Sequence, residues 1–132
     1  MTIRDRRELA AIIAGGAIGS LLRVGLIRTG AGSAPGWPWV TFSVNIAGTF
    51  LLGYLATRLQ ERLPLSAYRR PLLGTGFCGA LTTFSTVQVE LLVMLDADRY
   101  ALAAAYAGSS LALGYATLHL ATSLARRVRT VA

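Results

Sequence analysis

The sequence predicts an all-α membrane protein with four transmembrane helices and a break in the third, and three features carry that prediction. Mean hydropathy is +0.54, and 54% of the 132 residues are hydrophobic against 14% charged, a balance foreign to an ordinary soluble domain. Four apolar stretches, at 9–27, 40–59, 72–95 and 100–124, each reach the roughly 20 residues that a bilayer crossing takes. The third carries Gly76-Phe77-Cys78-Gly79-Ala80-Leu81-Thr82-Thr83-Phe84-Ser85-Thr86, a cluster of glycines and hydroxyls that an uninterrupted span has no use for. Residues 1–132 therefore form a single membrane domain, with no stretch left for a soluble one.

The first span follows Arg4-Asp5-Arg6-Arg7, a start that resembles a signal peptide. The apolar run is longer than a typical signal core and Arg23 lies beyond any plausible cleavage point, so it reads as a span. Gly16, Ser20 and Arg23 share one face, and Gly15 with Gly19 offers a small-xxx-small contact. The loop from Arg28 to Trp39 holds Gly30, Gly32, Pro35, Gly36 and Pro38 and is rich in turn formers. Trp37 and Trp39 suit an interfacial aromatic belt.

In the second span Thr41, Asn45 and Gly48 fall at i, i+4 and i+7 on one face. The Asn45 amide offers two donors and reads either as interhelical glue or as a ligand. The connection from Arg58 to Pro71 is the polar one. In the third span Thr83, Thr86 and Glu90 share a face; a carboxyl at membrane depth is a functional candidate unless outer water or neighbouring hydroxyls satisfy it. Asp96-Ala97-Asp98-Arg99 makes a tight turn, and the fourth span carries Tyr106, Ser110, Gly114 and Thr117 as a polar or small stripe. Cys78 reads as a small buried apolar side chain, and His119 as packing or an interfacial group.

The net charge of +7 would point to nucleic acid in a soluble chain. Here the arginines crowd the ends of the spans, so no nucleic acid partner is expected. Four spans put both termini and the second connection on one side. That side holds Arg4, Arg6, Arg7, Arg58, Arg62, Arg69, Arg70, Arg126, Arg127 and Arg129, against Arg28 and Arg99 on the other. The positive-inside rule then places both termini in the cytoplasm.

Lipid offers no partner to broken backbone, so a helix break at this depth is tolerated only where protein or a water path satisfies it. Such breaks bind ions in transporters, which makes transport the first hypothesis. Hydroxyls, amides and one arginine suit an anion better than a cation. Phe77 and Phe84 fit as well, because a ring edge is positive without being a trap, and conduction needs binding weak enough to leave. A small multidrug-resistance-type cation/proton exporter would need a carboxylate inside the first span, which has only Glu8 at its margin. A non-conducting assembly subunit has no need of a polar stripe on every span. An enzyme is not expected: there is no Ser/His/Asp set, no paired aspartates and no metal-ligand spacing, and one cysteine excludes an internal disulfide.

Three runs together resemble the signatures of the Fluc/CrcB fluoride channel family. They are Gly16-Ala17-Ile18-Gly19-Ser20-Leu21-Leu22-Arg23, Thr41-Phe42-Ser43-Val44-Asn45-Ile46-Ala47-Gly48-Thr49-Phe50-Leu51-Leu52-Gly53 and Gly76 to Thr86, in order and at the expected spacing. The resemblance implies a passive fluoride-selective channel of the bacterial plasma (inner) membrane that lowers fluoride toxicity. It implies an antiparallel dimer with two pores along the subunit interface. By similarity, Asn45 would donate its amide to fluoride and Phe84 would be the first ring of a phenylalanine pair. Gly79 and Thr82 would give backbone carbonyls to a structural Na+ ion on the dimer axis. Ser85, Thr86, Glu90, Tyr106 and Ser110 would continue a polar track, and Arg23 would make the pore mouth electropositive. Two departures stand out. Val87 occupies the place of the second phenylalanine, and the one-sided arginines are unlike a chain that inserts both ways. Together they predict the termini-in half of a heterodimer with an oppositely oriented homologous chain, a homodimer being the alternative.

Overall fold

The computed structural model describes residues 3–30, 36–61 and 68–128. The stretch 31–35, Arg62, Arg129 and the side chain of Arg4, on which parts of the loop and charge readings rest, lie outside the described residues. Helix α1 (Ile3–Gly30) is followed by α2 (Trp39–Glu61), a wide-turned π-segment (Pro71–Cys78), a single turn α3 (Gly79–Leu81), α4 (Phe84–Asp96) and α5 (Tyr100–Arg127). Four stretches, Arg6–Thr29, Trp39–Glu61, Pro71–Asp96 and Tyr100–Arg127, are long and apolar enough to cross a membrane, and the chain is a multi-pass membrane protein. Its helices outrun the apolar windows at both ends. Hydrophobicity marks only the hydrocarbon-spanning part, whereas Arg6, Arg7, Glu8 and Arg126 are good helix formers that carry the helix onward.

The outer surface is what lipid requires: Leu21 and Leu111 are 74% and 76% exposed. Apolar burial does not drive helices together inside lipid, so close backbone packing must. It does so between α1 and the π-segment. A Cβ added at Gly15 would collide with the Leu72 carbonyl, one at Gly19 with the Phe77 carbonyl, and one at Gly76 would lie 2.6 Å from the Ile12 carbonyl. The small-xxx-small pair thus seats α1 directly on the backbone of the third span. By contrast, Gly16 and Gly114 meet nothing within 4 Å, so the first and fourth polar stripes do not both face the bundle interior.

Pro71 opens the π-segment at the first helical position, where its missing N–H costs nothing. At the far end of the span, Asp98 takes a left-handed φ of 56°. The Arg99 N–H then reaches the Met94 carbonyl at 2.8 Å and the Asp98 N–H the Leu95 carbonyl at 3.0 Å. This left-handed cap accounts for the tight turn into α5. At the opposite end Arg126 pairs with Glu61 at 2.7 Å and Arg58 donates to the Val128 carbonyl at 2.8 Å, tying α2 to α5. Trp37 departs from the belt expectation. Its ring lies edge-on to Phe42 and to Tyr106, both at 5.4 Å, and packs on the Met94–Ala103–Tyr106 core; Trp39 is the exposed one.

Candidate functional site

The break in the third span falls at Thr82 and Thr83, both extended, with φ/ψ of −77/149° and −142/118°. Two side chains hold it. The Asn45 carboxamide lies against the Thr83 backbone: Nδ2 donates to the Thr83 carbonyl at 3.0 Å and Oδ1 accepts from the Thr83 N–H at 2.8 Å. The Thr83 hydroxyl meanwhile accepts from the Thr86 N–H at 3.2 Å, an N-cap that starts α4. Gly48, one turn after Asn45, makes room for this: a Cβ there would lie 2.5 Å from the Thr82 methyl. The sequence therefore supplies both the interruption and the side-chain donor and acceptors that replace the lost helical bonds.

A consequence follows for the carbonyls. In an unbroken helix the Thr83 N–H would bond to Gly79 and the Thr86 N–H to Thr82. Here both N–H groups are turned to side chains, so the Gly79 and Thr82 carbonyls lose their helical partners. The Arg23 guanidinium, half-buried, approaches the Thr82 carbonyl at 3.5 Å. Arg23 thus sits beside the break.

Glu90 is satisfied by hydroxyls from two other helices. Thr41 donates to its Oε1 at 2.5 Å and Tyr106 to its Oε2 at 2.6 Å, and Tyr106 is fully buried. Both carboxylate oxygens are occupied, which answers the cost of placing a carboxyl at this depth. Thr83 and Thr86 share a face with Glu90, yet they bond to each other at 2.9 Å, with Ser85 within 3.3 Å of Thr83. Of the residues expected to form one track, Ser85 and Thr86 cluster with Thr83 at the break, Glu90 and Tyr106 cluster with Thr41 toward the Asp96–Arg99 turn, and Ser110 lines the groove.

Phe84, the first residue of α4, is 75% exposed. It borders an open groove lined also by Asn45, Thr49, Thr82, Val87 and Ser110. Asn45, Phe84 and Ser110 are thus brought together, with Val87 on the same wall. One Asn45 N–H is committed to Thr83, and the second has no partner among the described residues. Spacing alone missed Thr41 as a Glu90 donor and Thr83 as the residue that Asn45 grips. Thr41 stands one turn before Asn45, but its target is on another helix.

Among the described residues no cluster of His, Cys, Asp or Glu could hold a metal ion; the only freed hard ligands at the break are carbonyls.

Residues 10–122 match the family model described as CrcB-like protein, Camphor Resistance (CrcB). The chain is 61% identical over 98% of its length and 98% of the relative's to Fluoride-specific ion channel FluC 1 of Mycolicibacterium paratuberculosis. It is 57% identical, at the same coverage of both chains, to a protein of that name from Mycobacterium bovis. It is 40% identical over 92% of its length and 97% of the relative's to Fluoride-specific ion channel FluC of Caulobacter vibrioides.

Proposed function

This chain belongs to the CrcB-like family, and from that premise we propose that it is a passive, fluoride-selective channel that exports fluoride from the bacterial cytoplasm across the plasma (inner) membrane. The observation that carries the reading is the clamped break beside an open groove. Asn45 keeps one N–H for the groove, Phe84 presents its ring at the groove's edge and Ser110 adds a hydroxyl. These are neutral donors, and they replace part of an anion's hydration without a charge that would hold it. Glu90 is not among the residues that line this groove; its oxygens bond to Thr41 and Tyr106. No catalytic step is assigned to the chain.

The groove is open on one side, and a second chain in antiparallel orientation would close it. The freed Gly79 and Thr82 carbonyls fit a structural Na+ ion: they are hard and neutral, and two from each chain would give four oxygens. Bound there, the ion would hold the two broken spans together; Arg23 is the competing donor at Thr82. The arginine asymmetry and Val87 favour a partner that is an oppositely oriented homologous chain, with both termini of this chain cytoplasmic.

The test of function is fluoride efflux from liposomes, read by a fluoride electrode beside a chloride control, for this chain alone and with such a partner. Fluoride-only efflux is expected, lost in Phe84→Ile with assembly intact; efflux of chloride at a comparable rate, or none in either preparation, would sink the reading. Thiol labelling of single cysteines at the Asp96–Arg99 turn, with Cys78 replaced, is expected from the outside only. Equal labelling from both sides would overturn the heterodimer.

A further inference from the structure

The chain has three carboxamides, Asn45, Gln60 and Gln88. Asn45 is used at the break, and Gln60 lies at the charged end of α2 beside Glu61. Gln88 is exposed, and among the described residues it has no hydrogen-bond partner. Eight residues separate it from Asp96 at the end of the span, a rise of about 12 Å, so it lies within the hydrocarbon layer rather than at its rim. A bare carboxamide facing lipid at that depth is costly. Something polar covers it.

We propose that Gln88 lines the fluoride path and donates its amide to the ion one helical turn from Phe84, where Val87 supplies no ring; the inference rests on the channel reading above. Gln88 and Phe84 stand at i and i+4 on α4; Phe84, Val87 and Leu91 form this helix's wall of the groove, and Gln88 stands beside that wall, next to Val87. An amide N–H is the same neutral donor that Asn45 offers, so adding it does not create a trap. A second Gln88, present only if the partner is another copy of this chain, is not the cover either. In an antiparallel pair with the breaks at mid-depth, the two residues lie on opposite sides of the midplane.

The test reads access and flux separately. With Cys78→Ala as background, liposomes bearing Gln88→Cys or Val89→Cys are exposed to aqueous Ag+, then denatured and titrated with a fluorescent maleimide. Val89 is also exposed, and apolar. Ag+ is expected to block the thiol at position 88 and to spare the one at 89; equal reactivity at the two positions would overturn the inference whatever the flux. Gln88→Leu is expected to slow fluoride efflux at least tenfold with dimer yield unchanged, and Gln88→Asn to stay within about threefold of wild type. Wild-type efflux in Gln88→Leu, or loss of the dimer, would reassign Gln88 to lipid or to contact with the partner chain and overturn the inference. Absence of efflux in the wild type both alone and with the oppositely oriented partner, with position 88 still Ag+-accessible, would count against the channel reading instead.

Discussion

Asn45→Ala is expected to cost about 2–6 kcal/mol of stability and to abolish fluoride efflux. The magnitude follows from what the side chain does. It is the partner of both the N–H and the C=O of Thr83, and each buried group left unpaired costs about 1–3 kcal/mol. Water cannot take over readily at this depth, which places the effect above that of an ordinary exposed amide. Without the clamp, the Thr83 N–H can return to the Gly79 carbonyl and the third span can close toward a regular helix. That would carry Phe84 away from the groove and remove the free carbonyls together. The measurement is thermal unfolding in detergent alongside liposome efflux, with Thr49→Ala as the control. Thr49 lines the same groove and has no hydrogen-bond partner among the described residues, so its loss should change stability by less than 1 kcal/mol. If Asn45→Ala melts like the control yet loses flux, the glycines and threonines hold the break unaided and Asn45 is a ligand alone.

The number, order and approximate limits of the spans are legible in the sequence because hydrophobic length is a local property that a bilayer converts directly into structure. The break is legible for the same reason: Thr82-Thr83 preceded by glycines at mid-span makes no sense as plain helix. What spacing cannot give is a partner on another helix. Thr83, Thr86 and Glu90 are collinear on the helix surface, yet the carboxylate bonds to Thr41 of α2 and Tyr106 of α5. Gln88 falls on none of the polar stripes that spacing picks out, so its lack of a partner emerges only once the neighbours are in place. Likewise Trp37 carries the composition of an interfacial belt, but edge contacts with the Phe42 and Tyr106 rings claim it.

The two polar clusters divide the labour of a long span. The Asn45–Thr83 clamp fixes where the helix stops, and the Thr41–Glu90–Tyr106 set ties α4 to α2 and α5 about two turns on, so the segment carrying Phe84 is held at both ends. Rigidity there matters more than affinity. A conducting site has to keep its donors in place while binding its ion only briefly, and neutral groups immobilised by other bonds achieve that where a flexible cation would follow the ion.

That rigid segment depends in turn on the contact between α1 and the π-segment, and Gly76→Ala is expected to lower stability by about 3 kcal/mol. The added Cβ would lie 2.6 Å from the Ile12 carbonyl and 3.1 Å from the Gly15 Cα. Overpacking of side chains typically costs 1–3 kcal/mol, and the high end applies because both obstacles are backbone, which cannot rotate away. Relief requires α1 to move off the third span, and the seats of Gly15 and Gly19 against Leu72 and Phe77 are lost with it. Gly74→Ala supplies the matched control, two residues away in the same segment. Its Cβ meets nothing within 4 Å, so the reduced freedom of the unfolded chain should leave it neutral or more stable by about 0.5 kcal/mol. Both are read by thermal unfolding in detergent and by yield of assembled protein. A large gap between the two locates the stability of the span in backbone contact with α1, whereas equal melting would mean that the π-segment stands by its own hydrogen bonds and tolerates displacement of α1.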